Sequence, residues 1–310
     1  ISLGLVGSEM CIRDRYNISV NFQIDKITEE YNMSNCWLNG KTCIVTGASG
    51  GMGAGIAATL IKKHGCKVIG VARSEPKMKK FIEELGPTYA EQFSYKLFDV
   101  SKNENWVEFA EELKEQGVKV DVLVNNAGIL PKFKRFDRYD MQEIENAINI
   151  NFYSCIYSIK AFLPMLLESD DPGIINIDSS AALMSLAGTS IYSASKAALK
   201  GFTESLREEF RGKVYVGLVC PGFTKTDIFR DQENEGGKGE KIMNMISTDC
   251  DLMVKMIMFG IAHKQALQIH GMDAHAMSVF GKLLPVSGSR LFSAIMKAAD
   301  IDLFDDVFKD

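Results

Sequence analysis

Six short, nearly uninterrupted apolar runs, at residues 42–46, 67–72, 95–98, 120–124, 173–177 and 214–219, constrain this chain more than any other feature. Strands wetted on one face alternate polar and apolar side chains. Runs such as Val122-Leu123-Val124 and Ile174-Ile175-Asn176-Ile177 are instead apolar almost throughout, the pattern of strands covered by helices on both faces. Stretches with helical patterning at 52–63, 75–85, 103–116, 141–167 and 193–210 separate the runs, so each strand has a crossover to the next. The expected class is α/β, a doubly wound parallel sheet between two helical layers.

The 310 residues, 46% hydrophobic and 24% charged, are enough for one domain with a sizeable core. No repeat, low-complexity tract or proline-rich linker divides them. We read a single domain at 38–285, an N-terminal extension at 16–37, and an amphipathic tail at 286–310 that docks either on the domain or on a partner subunit. The segment Leu5-Val6-Gly7-Ser8-Glu9-Met10-Cys11-Ile12-Arg13-Asp14 resembles one reading frame of a transposon adapter used to prepare sequencing libraries. Residues 1–15 are therefore set aside as an expected assembly artefact, with Met33 as the expected start. The charged, glycine-rich stretch 231–241 reads either as a solvated connector or as an active-site lid, and the apolar, methionine-containing stretch 242–261 follows it.

A net charge of -5 gives no basic footprint, so nucleic acid is not an expected partner. Seven cysteines without a CxxC pair and four histidines without an HExxH point to a reducing, cytoplasmic setting and to no metal. No uninterrupted apolar run approaches the roughly 20 residues that cross a bilayer, so no membrane span is expected.

After the first apolar run comes Thr46-Gly47-Ala48-Ser49-Gly50-Gly51-Met52-Gly53, immediately before a helical stretch. A strand feeding a glycine-rich turn lets the backbone approach a pyrophosphate, and the helix that follows offers unpaired N–H groups and a positive dipole end. This is the signature of a Rossmann-like, three-layer αβα fold with a dinucleotide site, and Gly47, Ser49, Gly51, Met52 and Gly53 are its candidate contacts. Many NAD-binding chains place an acid at the end of the second strand to hold the ribose 2′-hydroxyl. Here Val71-Ala72-Arg73-Ser74 stands instead. Arg73 suits the 2′-phosphate of NADP through a charge-assisted contact, with Ser74 adding a hydroxyl, so NADP(H) is favoured over NAD(H).

Tyr192 and Lys196 are four residues apart in a helical stretch and share one face of it. A tyrosine is ordinarily too weak an acid to move protons at neutral pH, and an ammonium beside it stabilises the phenolate. Over residues 41–226 the order and spacing of Thr46-Gly47-x-x-x-Gly51-x-Gly53, Asp99-Val100, Asn125-Asn126-Ala127-Gly128, Asn151, Ser179, Tyr192-x-x-x-Lys196 and Pro221-Gly222 resemble the short-chain dehydrogenase/reductase family. That resemblance implies a hydride passed between NADP(H) and a carbonyl or secondary alcohol. Tyr192 would be the proton-transfer group, Ser179 or the neighbouring Ser180 would bind the substrate oxygen, Lys196 would hold the ribose, and Asn151 would anchor a water relay. It further implies that Asp99 and Val100 meet adenine, that Asn126, Ala127 and Gly128 run beside the cofactor, and that Pro221, Gly222, Thr224 and Thr226 embrace its nicotinamide end. A small residue or a serine usually precedes the catalytic serine in that family; this chain has Asp178. The resemblance also implies a homodimer or homotetramer. Leu183, Met184, Leu186, Phe223, Ile228, Phe229 and the methionines of 243–258 suit either an apolar pocket for a lipophilic carbonyl or ordinary core. Two other readings use the same motifs: a catalytically idle NADP sensor or interaction platform, and a sugar-nucleotide epimerase or dehydratase, for which the chain after Pro221 is short.

Overall fold

Strands β1 (Thr42–Thr46), β2 (Lys67–Ala72), β3 (Phe93–Leu97), β4 (Val122–Asn125), β5 (Gly173–Ile177), β6 (Tyr215–Pro221) and β7 (Leu267–His270) form one sheet in the computed structural model of the protein, which describes residues 36–226, 228, 242, 245–298 and 304–309. Every neighbouring pair is parallel, in the order β3-β2-β1-β4-β5-β6-β7. The chain winds outward from β1 to β3, then returns to lay β4 on the other side of β1. The crevice at the carboxyl ends of β1 and β4 is therefore the place where a doubly wound sheet receives a ligand.

Apart from the single turn Pro87–Ala90, the α-helices among the described residues are α1 (Gly51–His64), α2 (Glu75–Leu85), α3 (Asn103–Glu115), α4 (Met141–Ile148), α5 (Ser154–Leu167), α6 (Ser190–Glu209), α7 (Cys250–Ala262), α8 (Met272–Leu283), α9 (Ser287–Ala298) and α10 (Asp305–Phe308). Alternation along the strands sends neighbouring side chains to opposite faces, and each face meets its own helices. Cys43, Val45, Val124 and Ile175 join Ile56, Leu60, Phe81 and Ile257 under α1, α2 and α7. Ile44, Leu123, Ile174 and Val216 join Trp106, Phe109, Phe162 and Leu206 under α3, α5 and α6. Trp106, Phe109 and Phe162 meet edge to face or nearly so, with ring centroids 5.3–6.3 Å apart for the two pairs that Phe162 makes. On the opposite face Trp37, at the end of the N-terminal extension, donates its Nε1–H to the Ile261 carbonyl at 3.0 Å.

Three features depart from the sequence reading. β7 joins the edge as a seventh strand; its Leu267-Gln268-Ile269-His270 is short and alternating, with Leu267 exposed, so it lacks the buried-strand pattern used to find the others. The helical stretch at 141–167 is not one α-helix but α4 and α5 joined by a π-helical turn at Asn149–Tyr153. Taken whole, Met141–Leu167 is long and apolar enough by composition to cross a membrane, a candidate span that the search for uninterrupted apolar runs did not find because asparagines and glutamates punctuate it. It packs Ala147, Ile150, Phe162 and Leu166 into the domain.

The tail docks on its own domain. Phe304 lies against Phe133 at 5.4 Å between centroids. Asp306 pairs with Lys132 at 2.7 Å, and its carbonyl accepts from Arg138 Nη1 at 3.2 Å. Val307 fills the space over Gly188, where a β-carbon would collide with it. The 231–241 stretch lies outside the described residues, as does the adapter-like segment 1–15.

Phe162 is fully buried, so Phe162→Ala should remove about 3–5 kcal/mol of stability. The urea midpoint should fall accordingly; a midpoint unchanged within error would show that this aromatic cluster does not hold α5 to the sheet.

Candidate active site

The glycine turn and the β4 turn are tied together by Thr46. Its hydroxyl oxygen accepts from the backbone N–H groups of Asn126 and Ala127, both at 2.8 Å, while Asn126 Nδ2 donates to the Thr46 carbonyl at 3.0 Å. Gly47 has φ +66°, and a β-carbon there would lie 2.9 Å from Asn126 Nδ2; one on Gly53 would strike the Gly47 carbonyl oxygen. A β-carbon on Gly50 would meet nothing. The turn is thus packed tightly on its inner side and open on its outer one. α1 begins with no side-chain cap and no acid in its first turn, leaving its dipole end suited to an anion. These residues fit a dinucleotide pyrophosphate.

Farther along the crevice, Arg73 is exposed at the end of β2, and Ser74 opens α2 without capping it. Asp99 accepts from the Ser101 N–H at 3.0 Å and hydroxyl at 2.8 Å. Burial pushes its carboxyl up, but Ser101, Arg73 and Lys102 outweigh this and hold it below the usual carboxylate range. Val100 is buried, its carbonyl accepting from Trp106 Nε1.

The residues of the second half converge on the same edge. The π-helical turn brings Asn151, fully buried, against the irregular segment after β4: its Oδ1 accepts from the Ile129 N–H at 2.8 Å, and its Nδ2 donates to the Ile129 carbonyl at 2.9 Å and to Ser195 Oγ at 3.1 Å. π-bulges recur at functional sites because the extra residue redirects side chains. Ser179, just past β5, has its Oγ accepting from the Ala181 N–H at 3.1 Å, and Ser180 is its buried neighbour. On α6, Lys196 Nζ donates to the Ile177 carbonyl at 3.1 Å and lies 5.9 Å from the centroid of the Tyr192 ring. A cavity of about 760 Å³, counted out to its open mouth, is lined by Met52, Asn126, Gly128, Ser179, Tyr192, Lys196, Pro221, Gly222, Thr224 and Thr226 together. Of the four residues expected to be catalytic, Ser179, Tyr192 and Lys196 border it and Asn151 stands one layer behind, 3.3 Å from where a β-carbon on Gly128 would be.

The apolar end of the cavity is built from Leu130, Phe133, Leu186, Phe223, Ile228 and Met277. Leu186, Phe223 and Ile228 were expected there. Met184 instead packs behind Leu186 and Met277, and Met253 and Met258 lie in the core under α1, so these belong to packing; Phe229 and Met243 lie outside the described residues.

The family model for short chain dehydrogenases matches residues 41–236. The chain belongs to the short-chain dehydrogenases. A benzil reductase of Saccharomyces cerevisiae is 32% identical over 64% of this dehydrogenase and 78% of its own length. A solved short-chain dehydrogenase from Streptomyces avermitilis superposes with a TM-score of 0.68 at 25% identity, covering 84% of this chain and 97% of that one. A serine dehydrogenase complexed with NADP+ does so with a TM-score of 0.63 at 26% identity, covering 72% and 90%. Membership makes the protein a dehydrogenase or reductase, an enzyme working between a hydroxyl-bearing carbon and a carbonyl.

Two residues of this dehydrogenase matter to the site in ways that no local motif announces. Asp273, in the first turn of α8, accepts from the Phe223 N–H at 2.7 Å, while Gly222 donates to the His270 carbonyl at 2.8 Å. A β-carbon on Gly222 would collide with the Asp273 carboxylate, so Gly222 and Asp273 are made for one another and together fix the turn after β6. The second is Asp178. It is 4% exposed, and neither carboxylate oxygen makes a well-formed hydrogen bond, the Ser179 N–H reaching it only weakly. Burial pushes its carboxyl up to about 8, although Lys196, the Ser179 N–H and Lys200 pull the other way.

A carboxyl raised in this manner binds a proton in the folded state across a range where the unfolded chain has lost it, so stability falls as pH rises from the usual carboxylate range near 3.8 to about 8. Asp178→Asn should lack that decline. Thermal midpoints of the two proteins compared at pH 5 and pH 8.5 check this: the advantage of the variant should grow with pH, and a constant difference would contradict it.

Proposed function

We propose that this dehydrogenase passes a hydride between NADP(H) and the carbonyl or secondary alcohol of a small lipophilic molecule, with Tyr192 moving the proton. The observation that carries the reading is the convergence of Met52 from the glycine turn, Ser179, Tyr192 and Lys196 on one cavity. Bound nicotinamide would supply or accept the hydride.

The chain's own residues supply orientation and electrostatics. The main-chain N–H groups that open α1, with Gly47, Ser49, Gly51, Met52 and Gly53, hold the pyrophosphate. Asp99 and Val100 bound the adenine, and Asn126, Ala127 and Gly128 the connecting ribose. Pro221, Gly222, Thr224 and Thr226 hold the nicotinamide end, braced by Asp273. Lys196 binds the ribose hydroxyls and sets its charge beside Tyr192. In reduction the substrate oxygen lies between the Ser179 hydroxyl, which stabilises developing charge, and the Tyr192 hydroxyl, which donates its proton. In oxidation the phenolate takes the proton back, and Asn151 with Lys196 leads it to solvent through water. Leu130, Phe133, Leu186, Phe223, Ile228 and Met277 favour an apolar substrate, consistent with a relative named for an aromatic diketone. Arg73 is free to face a 2′-phosphate, which supports NADP(H) together with the NADP+ in the solved serine dehydrogenase.

Tyr192→Phe should abolish turnover in an NADPH and NADP+ screen of ketones, aldehydes and secondary alcohols, with NADPH affinity nearly unchanged. Near-normal turnover would refute the role of the phenol. Arg73→Ala should weaken NADPH binding about 10- to 100-fold, the worth of a charge-assisted contact, while leaving NADH binding alone. Equal losses for both nucleotides would overturn the NADP preference.

A further inference from the structure

Among the cavity-lining residues, Asp178 carries an ionisable side chain that no step above uses. It follows β5 directly, and its N–H donates to the Val219 carbonyl at 2.7 Å, so the sheet continues through it. Strand alternation then sends its side chain to the same face as that of Asn176, whose Nδ2 donates to Thr203 of α6 at 2.8 Å. On that face the groups whose charge acts on it are Lys196, Lys200 and Glu204 of α6, and it acts in turn on the thiols of Cys155 on α5 and Cys220 on β6. Burial pushes the Cys155 thiol up to about 11 and the Cys220 thiol further still, so both stay neutral. Lys196 is bound to this corner by its 3.1 Å hydrogen bond to the Ile177 carbonyl, the peptide group that joins Ile177 to Asp178. The same ammonium faces the Tyr192 ring.

We propose that Asp178 is a positioning residue that acts on Tyr192 through Lys196: as the neutral acid it leaves the ammonium's charge undivided, and as the carboxylate it draws that charge away from the phenol. The inference rests on the roles proposed above for Tyr192 and Lys196. Lys200 favours the carboxylate and Glu204 opposes it, so neither fixes the state of Asp178 alone. Because burial holds the proton up to about 8, the acid is neutral near pH 7 and changes state just above. Its ionisation releases one proton to water and forms no bond. A small residue at this position, as in the family pattern, leaves Lys196 unopposed at every pH.

The test is an ultraviolet difference titration of tyrosinate in the cofactor-free full chain, with the Tyr192→Phe protein subtracted so that one phenol is read. In Asp178→Asn, which cannot ionise, the signal should rise at a pH lower by about one unit than in the unsubstituted protein, the effect of removing a nearby buried charge of opposite sign to the ammonium. Asp178→Ser should move it the same way and serves if the asparagine variant folds poorly. A midpoint that is unmoved, or displaced upward, in folded variants overturns the proposal. The readout needs no turnover: a downward shift without measurable activity would sink the proposed function and uphold this inference, whereas full activity with an unmoved titration would do the reverse.

Discussion

The site depends on where one ammonium is held. Lys196 reaches from α6 to the carbonyl that ends β5, and in doing so lies beside Tyr192, beneath Gly128 and next to Asp178. A lysine that is only 4% exposed is costly to bury unless its donors are used, and the carbonyl at the sheet edge is what makes the position tenable. The Ile177 carbonyl, the Tyr192 ring and the field of the neighbouring acid all meet at this one charge.

That position is in turn set by buried polar scaffolding between the sheet and its helices. Asn125 Nδ2 donates to Asn176 Oδ1 at 2.9 Å, Ser158 donates to Asn125 Oδ1 at 2.7 Å, and Asn176 donates to Thr203, which donates to the Leu199 carbonyl at 2.7 Å. The chain of bonds joins β4, β5, α5 and α6 with each of these groups paired, the condition under which buried polar networks specify a unique geometry. Thr46 does the same between β1 and the turn after β4. Asp178 stands just past the end of this network with neither oxygen well paired, and unpaired buried groups in otherwise satisfied structures are where function is to be sought.

Much of this was legible in the residues themselves, for local reasons. The buried strands announced themselves as apolar runs, the tight turn after β1 as glycines between a strand and a helix, and Tyr192 with Lys196 as a pair four apart on one helical face. What was not legible depends on contacts between distant segments. Nothing near Asp273 says that its carboxylate will brace a turn fifty residues earlier. The asparagines at 149 and 151 do not reveal that the helix widens there into a π-turn. The tail carried an amphipathic pattern that left its docking partner open, and only the fold shows Phe304 on Phe133 and Val307 on Gly188. β7 was missed because a four-residue edge strand with an exposed leucine has neither the length nor the apolar continuity of its neighbours.

The most direct test of the account is a crystal structure of the full chain with NADP+. The nicotinamide ring should lie in the cavity between Tyr192 and the Pro221-Gly222 turn, with Lys196 touching the adjoining ribose and Arg73 beside the 2′-phosphate. A dinucleotide bound with its ring outside that cavity, or with the Lys196 ammonium turned away from both ribose and phenol, would contradict it.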